Sequence, residues 1–575
     1  MVLVTPEKIK EYTSQGWWGE LTVGELFIQT ALRQSQAPAV VDPPNRTQIS
    51  GDAPRRWTWG ELLEQTGRLV ALFHAEGLRK DDIIVMQMPN CVEMHAIYLA
   101  CALTGVIVTP VPVQYRGHEL AHVCGLTQAR WVLTTAQVGS HAMADLWQSH
   151  RNQWPSIERI WSLGSSLPEG VASLRAAWEA QPAWDAAQLR AHMQTIGLTA
   201  HDVLTVCWTS GTEAQPKGVP RNHNEWLIVG QSVSDAGDLQ AGSHLLIPFP
   251  FVNMAGISTS LMAWLLCGGC LHQHHPFDLE VFIAQMRAQP MDYSVAAPAV
   301  LNHLLKQPER LLEGVDLSRL RRIGSGGGPL SAWLVEQMAE RLGIDVVNYF
   351  GSNEGASLAS SPRDVPDPTQ RASLFPRIGV PGFTWSLSNS LKVRSRLVDV
   401  DTGEEVTTAG RVGELRMAGP TIFSGYYKSP ELTRRAFDDQ GFYRTGDLFE
   451  IAGDQQQFYR YSGRHKDIVI RGGMNISSEE IENLALGHPA VRECAVIGKP
   501  DRVLGERVCL VAVLQPGQSL TLEGLRQHLV EVEQVALFKC PEELILIDEL
   551  PRNPVGKILK RELRARLIDT ADIPA

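Results

Sequence analysis

A short segment that follows an apolar run carries the residue types that bind phosphate. Residues 209–218 read TSGTEAQPKG and come directly after LTVCW at 204–208. Hydroxyl residues and glycine let backbone N–H groups approach an anion closely, and Lys217 adds a positive charge. The segment is close to the nucleotide-binding loop G-x-x-x-x-G-K-[ST], but Pro216 replaces its second glycine and Gly218 replaces its magnesium-binding hydroxyl. Taken alone, it is consistent with a different phosphate loop or with a surface turn.

Five further segments downstream combine glycines, carboxylates and basic residues. In chain order they are GSGGGPLS (324–331), YFGSNEG (349–355), YRTGDL (443–448), GRHKDIVIRGGMNISSEEIE (463–482) and PRNPVGKILKREL (551–563). Glycine removes side chains where a flat ring could lie against backbone. A carboxylate such as Glu354 is a hard oxygen ligand of the type that Mg²⁺ prefers. Each segment also has a plain structural explanation, such as a tight turn.

Together and in this order, the six segments resemble the signatures of the adenylate-forming superfamily, which includes acyl- and aryl-CoA ligases, nonribosomal adenylation domains and luciferases. The likeness spans nearly the whole chain, and the opening segment resembles T-S-G-T-x-x-x-P-K-G rather than a damaged P-loop. The resemblance implies that a carboxylate attacks the α-phosphate of ATP and expels pyrophosphate, after which a thiol displaces AMP. It also implies ATP, Mg²⁺ and either CoA or the phosphopantetheine of a carrier protein as cofactors.

The resemblance assigns roles around the nucleotide to residues of this chain. Glu354 is the implied magnesium ligand, and Asp447 is implied to accept both ribose hydroxyls with Arg464 beside it. Outside this set of motifs, Asp447 could equally cap a turn. The other implied nucleotide residues are Thr209, Ser210, Gly211, Thr212 and Lys217 at the β- and γ-phosphates, Gly326, Gly327 and Gly328 at the adenine, and Phe350 and Asn353.

Asn353 is where this chain departs from the family pattern. The family commonly has threonine before the glutamate, with its hydroxyl on the AMP phosphate, whereas Asn353 precedes Glu354 here. An asparagine amide can also donate a hydrogen bond. We therefore expect activity to be retained with an altered contact at this position.

The C-terminal motifs imply a second conformation of the enzyme. Lys557 matches the catalytic lysine that bridges the carboxylate and the α-phosphate, and it is implied to act with Lys217 and Glu354 in catalysis. The resemblance places a hinge at Lys466, about which the C-terminal domain moves between the two half-reactions. Gly472 and Gly473 are implied to line the thiol channel, although a β-hairpin bend explains the two glycines equally well.

The acid is implied to be neutral and compact. Amino-acid-activating relatives carry an aspartate in the segment that reads FPFVNMAGIS here, and this chain has no carboxylate there. The resemblance assigns the acid to Asn253, Met254, Gly256 and Gly351, although Asn253 could equally satisfy local backbone. The segments GWWGELTVGELF (16–27), VPRNHNEW (219–226) and SGYYKSPELTRRAFDDQGFYRTGDL (424–448) resemble the aryl-acid and cyclic- or medium-chain acyl branch. An aromatic, alicyclic or medium-chain acid is therefore predicted.

Three functions remain to be separated. The first is a CoA ligase, and the second is a stand-alone adenylating enzyme that loads the acid onto a carrier protein in trans. The third is a catalytically silent nucleotide-binding relative. The family residue types at Lys217, Glu354, Asp447 and Lys557 argue against the third.

The elements that must position these residues follow an α/β pattern. Helical patterns such as GELLEQTGRLVALFHAEGL and CVEMHAIYLACALTG alternate with apolar runs such as DDIIVMQM, VIVTPVP and RWVLTT. Such alternation predicts parallel sheets covered by helices. Ligands of open α/β sheets bind at the carboxyl ends of the strands, where the glycine-rich and polar segments fall.

The predicted architecture has a large N-terminal part and a small, mobile α+β C-terminal domain. The predicted domains are 1–465, with a β-rich subdomain at about 385–465, and 466–575 with the catalytic lysine. The change at about residue 385 is marked by strand-rich segments such as SLKVRSRLVDVDTGEEV and GELRMAG.

Composition excludes some classes of partner. The formal charge of −11 argues against nucleic acid as a partner. The uncharged stretch 254–271 is about long enough to cross a bilayer, but its hydroxyl residues and Gly-Gly pair predict a buried helix that enters a buried strand. We expect a cytoplasmic enzyme whose partner is a small carboxylic acid, with a homodimer left open.

The nine cysteines at irregular spacing predict reduced, mostly buried thiols. One segment, CGGCLHQHH, places Cys267 and Cys270 beside His272, His274 and His275. A zinc site or a redox pair is an alternative there, but the sequence shows no second C-x-x-C to complete a zinc site.

Overall fold

The computed structural model divides the chain into two compact units. The first comprises Met1–Val113, Cys124–Trp208 and Gly218–Ser462, and the second comprises Gln114–Val123, Thr209–Lys217 and Gly463–Ala575. The structure describes all residues except 210–215, 307, 327–329, 331, 401, 465–467, 552–557, 559 and 569–575. The predicted domain boundary at residues 465 and 466 lies outside the described residues and stays a prediction.

The largest sheet of the first unit has eight strands and is mostly parallel. Its order is Ser357–Ser360, Asp345–Gly351, Arg322–Gly326, Tyr293–Val295, His244–Ile247, Cys270–Gln273, Pro38–Val41 and Arg56–Thr58. Only the two edge strands pair antiparallel to their neighbours. The inner residues of the parallel strands, such as 245–247 and 346–348, are buried, as expected for a sheet that is covered on both faces.

A second, seven-stranded sheet is built in the same way. Its order is Lys217–Asn222, Val203–Thr209, Ile107–Pro110, Ile83–Gln87, Trp131–Thr135, Arg159–Leu163 and Ala172–Ser173. The pairings on both sides of Ile83–Gln87 are parallel. The two sheets and their helices confirm the predicted α/β class.

The helices begin and end where local chemistry allows. Thr58 accepts a hydrogen bond from the Glu61 N–H while the Glu61 side chain accepts from the Thr58 N–H, which satisfies two donors at one helix start. Gly105 ends another helix in the left-handed conformation. The α-helices up to residue 436 are Pro6–Ser14, Val23–Arg33, Arg46–Ser50, Trp59–Ala75, Val92–Thr104, Gly117–Thr127, Met143–His150, Leu174–Glu179, Ala186–Thr195, His223–Gly237, Met254–Gly256, Ala263–Cys267, Leu279–Ala288, Pro298–Lys306, Pro308–Leu311, Ala332–Leu342, Pro368–Arg371 and Pro430–Ala436.

The apolar stretch 254–271 forms a buried helix followed by a strand, as predicted. A π-helical segment, Ile257–Met262, joins Met254–Gly256 to Ala263–Cys267. Trp264 stacks on Trp59 with ring centroids 4.6 Å apart, which ties the helix to the main core. Among the described residues, no helix is long and apolar enough to cross a membrane.

A six-stranded antiparallel sheet follows in the first unit. Its order is Leu374–Pro376, Phe458–Arg464, Tyr443–Ala452, Val412–Ala418, Arg394–Val398 and Glu405–Val406. The sheet therefore includes a strand that precedes residue 385, where the β-rich pattern becomes visible in the sequence. A short hairpin, Gln137–Val138 with His141–Ala142, and a 3₁₀ turn at Arg151–Gln153 complete this unit.

The second unit contains a five-stranded sheet with helices. Met474–Ser477, Ile468–Arg471, Gly505–Leu514 and Val491–Asp501 are neighbours in that order, and Glu543–Leu546 pairs in parallel with Gly505–Leu514. Lys539 is buried there and binds Glu480 at 2.8 Å, so its charge is balanced inside the unit. The helical segments are Ser478–Ala485, Leu522–Gln527, the π-helical His528–Val532, the 3₁₀ turn Leu537–Lys539 and Lys560–Ile568.

Candidate active site

Glu354 lies three residues beyond the strand Asp345–Gly351, at a carboxyl end of the eight-stranded sheet. Its side chain is buried, and its Oε1 accepts a hydrogen bond of 2.9 Å from the Tyr426 hydroxyl. Its backbone carbonyl accepts from the Phe423 N–H at 2.9 Å. A buried carboxylate held in this way has a fixed direction, which suits a ligand for a hard cation.

Asp447 and Glu354 both influence a buried tyrosine, Tyr443. Asp447 is buried in the strand Tyr443–Ala452, and its N–H donates to the Thr445 hydroxyl at 3.1 Å. Burial raises the pKa of Tyr443 well above its usual value, and Glu354, Tyr426 and Asp447 raise it further by charge and hydrogen bonding. The carboxylates that the sequence assigns to the metal and to the ribose therefore both act on the same buried tyrosine.

Asn353 bridges two segments that are distant in the sequence. Its Oδ1 accepts a hydrogen bond of 2.7 Å from the Met254 N–H, and its Nδ2 donates to the Trp208 carbonyl at 3.1 Å. Trp208 directly precedes the predicted phosphate segment, and Met254 lies in the predicted acid segment. The amide nitrogen carries two hydrogens, so the Trp208 contact leaves a second donor on the same atom.

Arg221 fixes the backbone around this loop. It is fully buried, and its Nη1 donates to the Thr421 carbonyl at 2.8 Å and to the Asn353 carbonyl at 3.4 Å. Gly355 has φ +98°, and a Cβ there would lie 1.8 Å from the Thr421 carbonyl oxygen, so only glycine fits. Burial lowers the pKa of Arg221, against the attraction of Glu225, Cys207 and Glu354.

The predicted acid segment has a tightly constrained backbone. Asn253 caps the helix Met254–Gly256, because its Oδ1 accepts from the Gly256 N–H at 3.1 Å. A Cβ on Gly256 would lie 1.9 Å from the Pro250 carbonyl oxygen. The local-backbone role of Asn253 is thus observed, and its contact with the acid stays a prediction, as does that of Met254 and Gly256.

The residues assigned to the adenine side have different surroundings. A Cβ on Gly326 would lie 2.4 Å from the Tyr349 carbonyl oxygen, so strand packing alone requires this glycine. Phe350 is half-buried and packs edge-to-face on Phe449 at 5.1 Å. Gly351 has room for a Cβ, with its nearest neighbour, the Ala356 carbonyl oxygen, at 3.7 Å. Their roles toward a ligand remain predictions.

Part of the predicted site lies outside the described residues. Ser210, Gly211, Thr212, Gly327, Gly328, Lys466 and Lys557 fall in this group, and Arg464 ends the strand Phe458–Arg464 without a described side chain. Thr209 is the last residue of one strand, and Lys217 is the first residue of the neighbouring strand. The phosphate and lysine assignments therefore stay predictions.

Gly472 and Gly473 form the turn of a hairpin in the second unit. Their φ angles are +54° and +81°, and Arg471 pairs with Met474 across the turn. Two consecutive residues with positive φ favour glycine. The structure therefore accounts for both glycines as a hairpin turn, and the thiol-channel role stays a prediction.

Sequence reasoning did not assign Tyr426, Tyr443 or Arg221 to the site. Tyr426 and Arg221 fall within segments used only to place the chain in a branch of the family. In the structure every residue from Arg221 to Trp226 is buried. An arginine at the start of a buried run would have indicated Arg221, but that burial is visible only in the structure. Tyr426 contacts Glu354 from 72 residues away, and a contact across that separation carries no local signal.

Comparisons with known proteins agree over the whole length of the chain. The family model described as AMP-binding enzyme matches residues 27–427, and the one described as AMP-binding enzyme C-terminal domain matches residues 480–557. A medium-chain fatty-acid–CoA ligase of Escherichia coli K12 is 30% identical, over 96% of this chain and 92% of that protein. A salicylyl-CoA synthase / salicylate adenylyltransferase of a Streptomyces species is 28% identical, over 98% of this chain and 97% of that protein.

Solved structures show the same fold. The amide bond synthetase McbA of Marinactinospora thermotolerans has a TM-score of 0.75 at 22% identity, over 95% of this chain and 99% of that one. The ATP-bound MatB of Rhodopseudomonas palustris has a TM-score of 0.61 at 25% identity, over 96% of this chain and 99% of that one. The large first unit and the small second unit therefore have solved counterparts.

Proposed function

This chain belongs to the AMP-binding enzyme family, and we propose that it activates a neutral carboxylic acid with ATP and then transfers the acyl group to the thiol of CoA. The observation that carries the proposal is the loop at Asn353 and Glu354. It contacts the predicted acid segment at Met254 and ends at a buried carboxylate, and that carboxylate and Asp447 act on the same buried tyrosine. This is an arrangement that can hold an acid and a nucleotide side by side.

In the proposed first step, an oxygen of the acid's carboxylate attacks the α-phosphorus of ATP. The bond from that phosphorus to the bridging oxygen breaks, and pyrophosphate leaves. Both reactants are anions, so the site must offset repulsion. Lys217 and Lys557 would supply positive charge, and Asp447 would accept hydrogen bonds from the ribose hydroxyls.

The residues present fit a magnesium ion. Glu354 offers buried carboxylate oxygen in a direction fixed by Tyr426, and hard oxygen ligands suit Mg²⁺. The ion, when bound, would neutralise charge on the phosphates. Arg221 lies close enough to Glu354 for the two charges to interact, which limits repulsion among the carboxylates of this region.

In the proposed second step, the sulfur of a thiol attacks the acyl carbon of the adenylate. The bond from that carbon to the phosphate oxygen breaks, AMP leaves, and the thiol proton passes to solvent. The second unit would move about Lys466 between the two steps. Gly472 and Gly473 would then line the channel through which the thiol reaches the adenylate.

The proposed acid is aromatic, alicyclic or medium-chain. The segment 249–258 contains no carboxylate that could hold an ammonium group, which argues against an amino acid. The two relatives described above are named for a medium-chain fatty acid and for salicylate. A neutral acid of one of these types fits both observations.

A carrier protein is the alternative acceptor of the acyl group. A fatty acid–[acyl-carrier-protein] ligase of Streptomyces coeruleorubidus is 27% identical, over 89% of this chain and 92% of that protein. Incubation of the enzyme with acid and ATP, and with either CoA or a holo carrier protein, should distinguish the two acceptors. Adenylate that forms without any CoA thioester, but loads the holo carrier, would reject the CoA proposal.

We place the enzyme in the cytoplasm, where ATP and CoA are available. All nine cysteines are free thiols, which fits a reducing compartment. A homodimer is kept as a proposal, and light scattering on the purified chain would measure its mass directly.

Pyrophosphate exchange over aryl, alicyclic and C4–C12 acids tests the adenylation step. Glu354→Gln removes the carboxylate charge but keeps the shape, so we expect exchange to fall about 10²–10³-fold. Glu404→Gln is the matched control, because Glu404 is exposed and lies in a loop of the same unit. Full exchange by Glu354→Gln, or no exchange with any acid, would contradict the proposal.

A further inference from the structure

We propose that this protein binds one thiophilic divalent metal ion, of the zinc type, through His244 Nδ1, Cys270 Sγ and His272 Nε2. These three ligand atoms all lie within 4.8 Å of one another. The site is separate from the candidate active site and takes no part in the proposed function.

Strand register brings the three side chains to one place. His244 pairs with Cys270 across the parallel strands His244–Ile247 and Cys270–Gln273. Side chains two residues apart on a strand point to the same face, so His272 stands on the face of Cys270. In the sequence, His244 lies apart from the segment CGGCLHQHH. Residue spacing within that segment therefore does not reveal the set of three ligands.

The distances match a tetrahedral zinc site. His244 Nδ1 and His272 Nε2 are 3.3 Å apart, and Cys270 Sγ and His272 Nε2 are 3.6 Å apart. With Zn–N of about 2.0–2.1 Å and Zn–S of about 2.3 Å, a tetrahedron has N–N edges of about 3.3 Å and N–S edges of about 3.6 Å. The third pair, His244 Nδ1 and Cys270 Sγ, closes to the same edge by at most about 1.2 Å of side-chain movement.

Gln289 shows where the lone pairs of the two histidines point. Its Nε2 lies 2.6 Å from His244 Nδ1 and 2.6 Å from His272 Nε2. An amide N–H₂ only donates, so both ring nitrogens accept, and their lone pairs converge on one point. A metal ion needs the same two lone pairs, and it would displace the amide from that point. Gln289 thus satisfies the pair when no metal is bound.

The ligand set consists of two imidazoles and one thiol, and Cys270 and His272 are buried. Cysteine binds a metal ion as the thiolate. Binding a metal ion therefore releases one proton from the Cys270 thiol to solvent.

The charges that face the site from neighbouring elements are known. Arg56 lies on the edge strand Arg56–Thr58, and Arg319 binds Asp292 at 2.5 Å. Asp292 Oδ2 also accepts from the His244 N–H at 2.6 Å, which fixes the backbone that carries one ligand. One carboxylate beside one of the ligands offsets part of the repulsion from the arginines.

The site lies towards the amino ends of two internal strands, whereas the residues of the candidate active site follow carboxyl ends. His244 and Cys270 are the first residues of their strands, whereas Asn253 and Glu354 follow the carboxyl ends of strands in the same sheet. The metal would therefore stabilise the first unit rather than take part in adenylation. Its loss should lower the melting temperature and leave pyrophosphate exchange per folded molecule unchanged.

Cobalt titration of the full-length, reduced and chelator-treated protein tests the site. We expect one equivalent of Co²⁺ to bind with a thiolate-to-cobalt charge-transfer band and release of about one proton. Zn²⁺ should abolish the band by competition and raise the melting temperature. Cys270→Ser should remove the band and weaken Zn²⁺ binding by more than about 100-fold.

Cys267→Ser is the matched control for the thiol. Cys267 Sγ is close in sequence but donates to the Trp264 carbonyl at 3.4 Å, so this variant should keep the band. His244→Asn is a second test, since it removes a ligand without touching a cysteine, and circular dichroism checks that each variant is folded. Folded wild-type protein without the band, or a band that persists in Cys270→Ser, would overturn the proposal.

Discussion

At the scale of single residues, Asn353 joins two backbone groups with two different side-chain atoms. Its amide accepts from Met254 and donates to Trp208 at the same time. A threonine hydroxyl can also accept and donate, but both hydrogen bonds would have to meet at one oxygen, whereas Asn353 uses two separate atoms of a longer side chain. The departure from the family pattern therefore has a structural consequence inside the site itself.

Replacing Asn353 by alanine should weaken activation of the acid. Two hydrogen bonds of about 1 kcal/mol each are lost, so kcat/KM in pyrophosphate exchange should fall about 30-fold. Asn152→Ala is the control, because Asn152 is exposed in a 3₁₀ turn of the same unit. An unchanged kcat/KM in folded Asn353→Ala would show that the bridge is dispensable.

At the scale of elements, the helix His223–Gly237 begins beside a buried carboxyl group, that of Glu225. Glu225 closes a capping box with Asn222, and its Oε2 lies 3.7 Å from Arg221 Nε. Burial raises the pKa of Glu225 to about 7, and the attraction of Arg221 only partly opposes this. The folded protein is therefore more stable when the Glu225 carboxyl at the start of this helix is protonated.

Glu225 should make stability fall as pH rises. The folded protein holds this proton up to about pH 7, whereas the unfolded chain releases it near pH 4.5. Between these values the folded state binds more protons, so the free energy of unfolding decreases with pH and levels off above 7. As pH rises from 4.5 to 7, the free energy of unfolding of Glu225→Gln, measured with urea, should increase relative to that of wild type by up to about 3 kcal/mol.

A second capping box supplies the control for this measurement. Glu61 has the same role at the helix Trp59–Ala75, but its side chain is exposed. Glu61→Gln should therefore show no comparable trend. A difference between wild type and Glu225→Gln that stays constant from pH 4.5 to 7.5 would disprove the titration.

At the scale of the whole molecule, the two half-reactions should respond differently to one lysine. Lys557→Ala should lower adenylation about 10²–10³-fold, because charge stabilisation of the first step is lost. Thioester formation from preformed adenylate should be largely spared. Arg566→Ala, an exposed change on the helix Lys560–Ile568, serves as control. Equal loss in both half-reactions would contradict the role of Lys557.

Local sequence patterns predicted much of this fold, but few of the contacts between residues that are distant in the sequence. The buried helix at 254–267 was predicted because its apolar residues are contiguous. The assignment of Glu354 follows from the resemblance of one contiguous segment, YFGSNEG, to a family motif. The contacts of Arg221 with Thr421 and of Asn353 with Trp208 join residues 200 and 145 positions apart. Only tertiary packing decides such pairs, and the same holds for His244 and Cys270.

The bridge made by Asn353 also bears on how the two substrates bind. It connects the first helix of the predicted acid segment with Trp208, the residue before the predicted phosphate segment. A side chain that binds both Met254 and Trp208 couples the positions of these two residues, so a ligand that favours one position also favours the other. Thermodynamic linkage then requires ATP to tighten acid binding by the same factor that the acid tightens ATP binding. Cutting the bridge should lower both factors equally.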